Sequence, residues 1–168
     1  MKEYIIKKGK HYSNWFRFPF FTFNRSIKFY FNINSSSHYV FNDDNKYDYN
    51  KLFGLSNSYH HQISSARIGW RAISEEQYAV CLYCYDDNKR IISNEILLNY
   101  DTFYGARIII SKNNYYLLFK DSSLILQRYT QSMFPIRMIL KPFFGGDNAA
   151  PNEIKIQINV KWLSIKII

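Results

Sequence analysis

Residues 154–162, IKIQINVKW, alternate apolar and polar side chains without a break. A chain with that period is extended, because successive side chains of a strand point to opposite faces. Ile154, Ile156, Ile158, Val160 and Trp162 then form one buried row, and Lys155, Gln157, Asn159 and Lys161 a wet one. Such half-buried strands are typical of antiparallel sheets. Residues 26–34, SIKFYFNIN, repeat the pattern: Ile27, Phe29, Phe31 and Ile33 oppose Lys28, Tyr30, Asn32 and Asn34.

Further strands are expected over Tyr78–Tyr85, Arg90–Leu97, Ala106–Ser111, Tyr115–Lys120, Leu124–Tyr129 and Ile136–Lys141. Turn residues separate them. Asp86-Asp87-Asn88 and Lys112-Asn113-Asn114 each look like the tip of a hairpin. Helical periodicity is almost absent, apart from one short turn near Ser74–Gln77. Many short strands at such intervals predict an all-β fold, an antiparallel two-sheet sandwich that is jelly-roll-like, with about four strands per sheet. One domain spanning residues 1–168 is expected from the length. Its core should hold Phe29, Phe31, Ile68, Trp70, Ile156, Ile158 and Trp162.

Hydrophobic residues make up 47% of the chain and aromatic residues 19%, which excludes a disordered chain. The formal net charge of +9 favours anionic partners. Lys, Asn, Ile, Tyr and Phe share A/T-rich codons, so the lysine excess reads either as genome bias or as selection for binding. The arginines are therefore the stronger signal. Two cysteines, Cys81 and Cys84, are too few for a disulfide framework, which suggests a reducing, cytoplasmic setting. Their C-x-x-C spacing falls inside a strand, where residues three apart face opposite sides, so they cannot share a metal. Basic residues precede the aromatic run Trp15–Phe23, but Arg17 and Pro19 interrupt it and no cleavage site follows, so it makes a poor signal peptide. No stretch approaches the roughly 18 apolar residues of a membrane helix. That aromatic run is too apolar to lie exposed, and a homo-oligomer is expected to cover what the core does not.

Residues 57–71, NSYHHQISSARIGWR, concentrate the polar chemistry. If Ala66–Ala72 is extended, Ala66, Ile68 and Trp70 face the core, while Arg67, Gly69 and Arg71 face outward. The two guanidinium groups would share one face with only Gly69 between them, a gap that suits a planar or anionic ligand. Arg forks match phosphate and carboxylate oxygens, and Tyr83 and Tyr85 on the following strand could stack on a base or a sugar. Arg90 opens the next strand. His60 or His61 and Ser65 would add hydrogen-bonding groups. The ligand-binding set read from the sequence is thus His60, His61, Ser65, Arg67, Arg71, Tyr83, Tyr85 and Arg90.

No catalytic residue is assigned. The acid pairs Asp43-Asp44, Glu75-Glu76 and Asp86-Asp87 sit in turns and do not form a glycosidase dyad. His60-His61 lacks metal-site spacing, and no G-x-S-x-G elbow accompanies Ser64 or Ser65. No P-loop, GxGxxG or zinc-finger spacing occurs, so no cofactor or metal is expected. Without a helix pair, no duplex DNA recognition through the major groove is expected. The loop FFGGDNAAP (Phe143–Pro151) reads either as a corner between sheets or as a ligand-contacting loop at one end of the sandwich.

Taken together, NKLFG (Asn50–Gly54), HHQISSARIGWR (His60–Arg71), YCYDDNKR (Tyr83–Arg90) and PFFGGDNAAP (Pro142–Pro151) resemble the motif order of a group of small, functionally uncharacterised bacterial and phage-borne proteins. The resemblance implies a compact all-β domain and carries no activity with it. Its phage association makes a non-enzymatic binder of a small anionic ligand the leading expectation: a sponge for a nucleotide or cyclic oligonucleotide immune signal, serving anti-phage defence evasion. The alternatives are a carbohydrate-active jelly roll, either a glycan-binding module or a lyase on acidic polysaccharide, and a virion or assembly protein.

Overall fold

The computed structural model describes residues 1–13, 20–41, 48–119, 121–129 and 135–161. The expected alternation becomes two antiparallel sheets. The six-stranded sheet contains β1 (Lys2–Ile6), β3 (Ser26–Ile33), β9 (Tyr104–Ile110), β10 (Asn114–Leu118), β11 (Ser123–Gln127) and β13 (Ile154–Lys161), in the order β1-β13-β3-β9-β10-β11. The second sheet contains β2 (Phe20–Thr22), β4 (Asn50–Ser56), β5 (Ser64–Ala72), β6 (Gln77–Asp86), β7 (Lys89–Ile92), β8 (Ile96–Asn99) and β12 (Arg137–Leu140). Its order is β2-β12-β4-β5-β6-β7, and β8 also pairs with β6. Sheets of six and seven strands replace the expected four and four. The helical turn expected near Ser74–Gln77 is instead the tight link between β5 and β6, closed by Ser74 N donating to Gln77 O.

The clearest alternation carries the deepest burial. Phe29, Phe31 and Ile156 are inaccessible to solvent, and Ile68, Trp70 and Ile158 are buried with them. Trp162 lies outside the described residues. The rings of Phe29 on β3 and Phe53 on β4 meet edge to face at 5.0 Å, which locks one sheet onto the other. Burial of each such ring contributes about 2–3 kcal/mol. Trp70 packs edge-on against Tyr78 and Phe144, closing one end of the core.

Turn chemistry fixes the register around β6. Asp87 and Asn88 both adopt positive φ, 49° and 63°. That pair of angles makes a type I′ turn, whose twist suits a two-residue hairpin. Its backbone amides also donate to Ile63 O and Gln62 O. The strand expected over Arg90–Leu97 divides into β7 and β8, which pair with successive stretches of β6. Ser93 at the break accepts from Leu82 N through its hydroxyl, replacing a ladder bond. Phe143–Pro151 does form the corner between sheets, running from β12 to β13. Gly145 turns it with φ 76°, where a Cβ would lie 2.0 Å from Asn148 O.

Cys81 and Cys84 are buried free thiols on opposite faces of β6, as the alternation requires. Among the described residues no helix is long and apolar enough to cross a membrane.

Candidate functional site

The outer face of the seven-stranded sheet collects the polar and aromatic side chains. Register pairs Ser65 with Tyr85, Arg67 with Tyr83 and Gly69 with Cys81, while Tyr85 also pairs with Arg90. Side chains of directly opposed residues touch, so Ser65, Arg67, Tyr83, Tyr85 and Arg90 form one cluster. His61 joins it from the turn before β5, with its ring 5.8 Å from that of Tyr85, edge to face. Desolvation, then the charges of Arg67, Lys51 and His60, push its pKa down. The two histidines do not lie on a strand. Both are exposed in the turn 57–63, and His60 is placed by its backbone, which donates to Ser58 Oγ.

Arg67 does face away from the core row, but it is not open. It is only 8% exposed, and its Nη2 donates to Lys141 O at 2.7 Å. Register explains this: Arg67 pairs with Gly54, Gly54 with Leu140, and Lys141 follows. With no side chain on Gly54, the guanidinium can cross the sheet to reach that carbonyl. Burial pushes its pKa down to about 10. Ser65 is fully buried, and its hydroxyl has no hydrogen-bond partner among the described residues.

Arg71 lies at the other end of the face. Its Nε and Nη2 donate to the two oxygens of Glu95 at 2.7 and 2.9 Å, a bidentate pair. Tyr49 donates to Glu95 as well, and the Arg71 guanidinium sits 5.9 Å from the Tyr49 ring centroid. Hydrogen bonding from Arg71 holds the Glu95 carboxyl below its usual range. The expected gap between Arg67 and Arg71 is filled. A Cβ placed on Gly69 would meet Cys81 Sγ at 2.8 Å and Tyr83 Cβ at 3.1 Å.

Lys51 completes the face. Its Nζ donates to Gly145 O at 2.7 Å and lies 5.2 Å from the Tyr83 ring and 5.7 Å from the Phe143 ring. The glycine-rich corner therefore also borders this surface. Desolvation, followed by repulsion from Arg67, lowers the Lys51 pKa to about 8, against partial relief from Asp48 and Asp147. Tyr49, Lys51, Glu95 and Phe143 were not singled out as site residues from the sequence. Lys51 sits in the NKLFG motif, the single signal that could have found it. Glu95 falls at the break in what looked like one strand.

Chemically, the face offers the half-buried Tyr85 ring beside cations and carboxylates, whereas Tyr83, expected to stack on a ligand, is only 2% exposed because Lys51 and the neighbouring strands cover it. Burial raises the pKa of Tyr83, and pushes that of Tyr49 up to about 12, so neither phenol is a ready base near neutrality. Among the described residues no group of three or more His, Cys, Asp or Glu side chains could hold a metal ion.

No protein-family model and no curated protein matches the chain. Solved structures do. The fold is similar to that of a GH16 protein from the Bacteroides ovatus mixed linkage glucan PUL, in complex with its G4G4G3G product, at 11% identity and a TM-score of 0.52, covering 95% of this chain and 80% of that one. It is also similar to the carbohydrate binding module CBM66 from Bacillus subtilis, at 10% identity and a TM-score of 0.43 over 88% of this chain and 76% of that one. CG-16, a homodimeric agglutinin from chicken liver, matches at 8% identity and a TM-score of 0.41 over 93% of this chain and all of that one. At 11% identity the likeness to the GH16 protein is one of fold, and the class it defines is the jelly-roll β-sandwich.

Proposed function

We propose that the chain is a glycan-binding jelly roll that takes a mono-anionic oligosaccharide on the outer face of its seven-stranded sheet, without cleaving it. The observation that carries this reading is the mixed surface around Lys51 and Tyr85, where the half-buried rings of Tyr85 and Phe143 accompany the cations Lys51 and Arg90, the carboxylates of Asp48 and Asp147 act on Lys51, and Glu95 lies at the Arg71 end of the face. Sugars are amphipathic in that way: C–H faces stack on rings and hydroxyls donate to carboxylates. A nucleotide polyphosphate would be repelled by those carboxylates. Its proposed clamps are also engaged, Arg67 by a backbone carbonyl and Arg71 by Glu95. A solved complex of a similar fold with an oligosaccharide supports the choice.

Cleavage is not part of the proposal. A glycosidase needs one carboxylic acid kept protonated, whereas Arg71 holds Glu95 ionised. A lyase using a tyrosine base would need a lowered phenol pKa, and those of Tyr49 and Tyr83 are raised.

Calorimetric titration of the intact protein with a uronate-containing tetrasaccharide, its neutral analogue and a cyclic dinucleotide tests the reading. The acidic tetrasaccharide should bind best, and Tyr85→Ala and Arg90→Ala should each weaken it about tenfold, the loss of one stacking or charge-assisted contact. Tight binding of the cyclic dinucleotide alone would return the nucleotide-sequestration reading to first place.

A further inference from the structure

A separate cleft opens between the two sheets on the side where β1 and β2 form their edges. It encloses about 180 Å³. Its walls are core side chains seen from their outer ends: Tyr4, Phe53, Ile139 and Ile158. Phe20 stands at the mouth, 43% exposed. The Lys2 ammonium lies 5.0 Å from the centroid of that ring and the Lys141 ammonium 4.7 Å from it. Two cations thus converge on one aromatic ring at the rim of an apolar hole.

We propose that this cleft is a binding site for a medium-chain fatty carboxylate, with the chain between the sheets and the head group between Lys2 and Lys141. The size fits. A dry apolar cavity of about 150 Å³ accommodates a benzene-sized ligand, so this one takes a chain of about six to eight carbons. The charges fit as well. Desolvation and repulsion from Lys2 both work against the charge on Lys141, and a carboxylate between the two amines relieves the repulsion. This site faces the gap between the sheets, whereas the proposed glycan surface is the outer face of one of them, so the two stand or fall independently.

The test is calorimetric titration of the full chain with octanoate and with octan-1-ol. Octanoate should bind saturably at one site and octan-1-ol at least tenfold more weakly. Lys2→Met and Lys141→Met should each weaken octanoate by about tenfold, which corresponds to 1.4 kcal/mol. Lys141→Met keeps the backbone carbonyl that accepts from Arg67. Val160→Trp, a substitution at the half-buried lining of the cleft, should abolish octanoate binding while leaving the acidic tetrasaccharide titration unchanged. A circular dichroism melt on each variant confirms that it is folded. Absence of octanoate binding to the native chain, equal affinity for octan-1-ol, or full affinity in folded Val160→Trp would each overturn the proposal.

Discussion

Arg67 and Arg71 lie four residues apart on the same face of β5, yet their neighbours give them different work. Arg67 is buried, and its removal strands the Lys141 carbonyl and leaves a cavity. Arg67→Ala should therefore cost about 2–4 kcal/mol in chemical denaturation. Arg71→Ala breaks a part-exposed ion pair with Glu95 and should cost about 0.5–1 kcal/mol. Equal, negligible losses at both positions would show that Arg67 is open to solvent after all. Lys51 gives a pH signature. Its amine is lowered to about 8 from an ordinary 10.5, so it loses its charge as pH rises through about 8. Affinity for an acidic glycan should fall across that point, and Lys51→Arg should remove the fall. The stability sign is the opposite. Between about 8 and 10.5 the unfolded chain holds more protons at this site, so the Lys51 contribution to stability rises with pH there.

At the scale of the element, β4 shows how a short strand is held. It is irregular between Lys51 and Gly54, where the register against β5 shifts. The shift brings Gly54 so close to its neighbour that a Cβ would lie 2.1 Å from Ala66 O and 2.6 Å from Arg67 Cα. Both are backbone atoms and cannot swing away. Gly54→Ala should destabilise by at least about 3 kcal/mol, read as a lowered urea midpoint, and a midpoint within error of the native one would contradict the strand pairing. The Asp87-Asn88 turn predicts the reverse effect. Glycine suits the second residue of a type I′ turn, so Asn88→Gly should raise the midpoint slightly, by a few tenths of a kcal/mol, roughly the relief of left-handed strain.

At the scale of the whole molecule, the sheets are joined by polar contacts as well as by the core. Tyr115 on β10 donates to Asp86 of β6 at 3.0 Å and lies 3.1 Å from Ser64 of β5. Arg128 reaches the same Ser64 hydroxyl at 3.3 Å. Asp86 also accepts from Tyr129 N at 2.7 Å, which caps β11 beside it. Tyr115→Phe removes one member of this network and should cost about 1–3 kcal/mol, measured by denaturation at neutral pH. Above about pH 10 the whole fold should weaken. Burial pushes Tyr39 to about 12 and Cys81 to about 12, so over that window the native chain holds more protons than the unfolded one. By linkage the stability then falls as pH rises, visible as a declining melting temperature.

Period-2 alternation over residues 26–34 and 154–162 was enough to decide the fold class and the core row, because side-chain direction in a strand follows from covalent geometry alone. The placement of Cys81 and Cys84 on opposite faces followed from the same rule. β1, β2 and β4 were not legible, since strands this short or this fully buried carry little alternation, and only their pairing partners make them strands. The candidate site was half legible. Arg67, Tyr83, Tyr85 and Arg90 come from one hairpin system and could be aligned on paper. Tyr49, Lys51, Glu95 and Phe143 come from separate segments, and their meeting depends on long-range pairing that no local pattern encodes. That pairing also decided what each arginine does. A guanidinium facing away from the core is exposed or buried according to what crosses above it, and here the missing Gly54 side chain and the Lys141 carbonyl, distant in sequence, settle the matter.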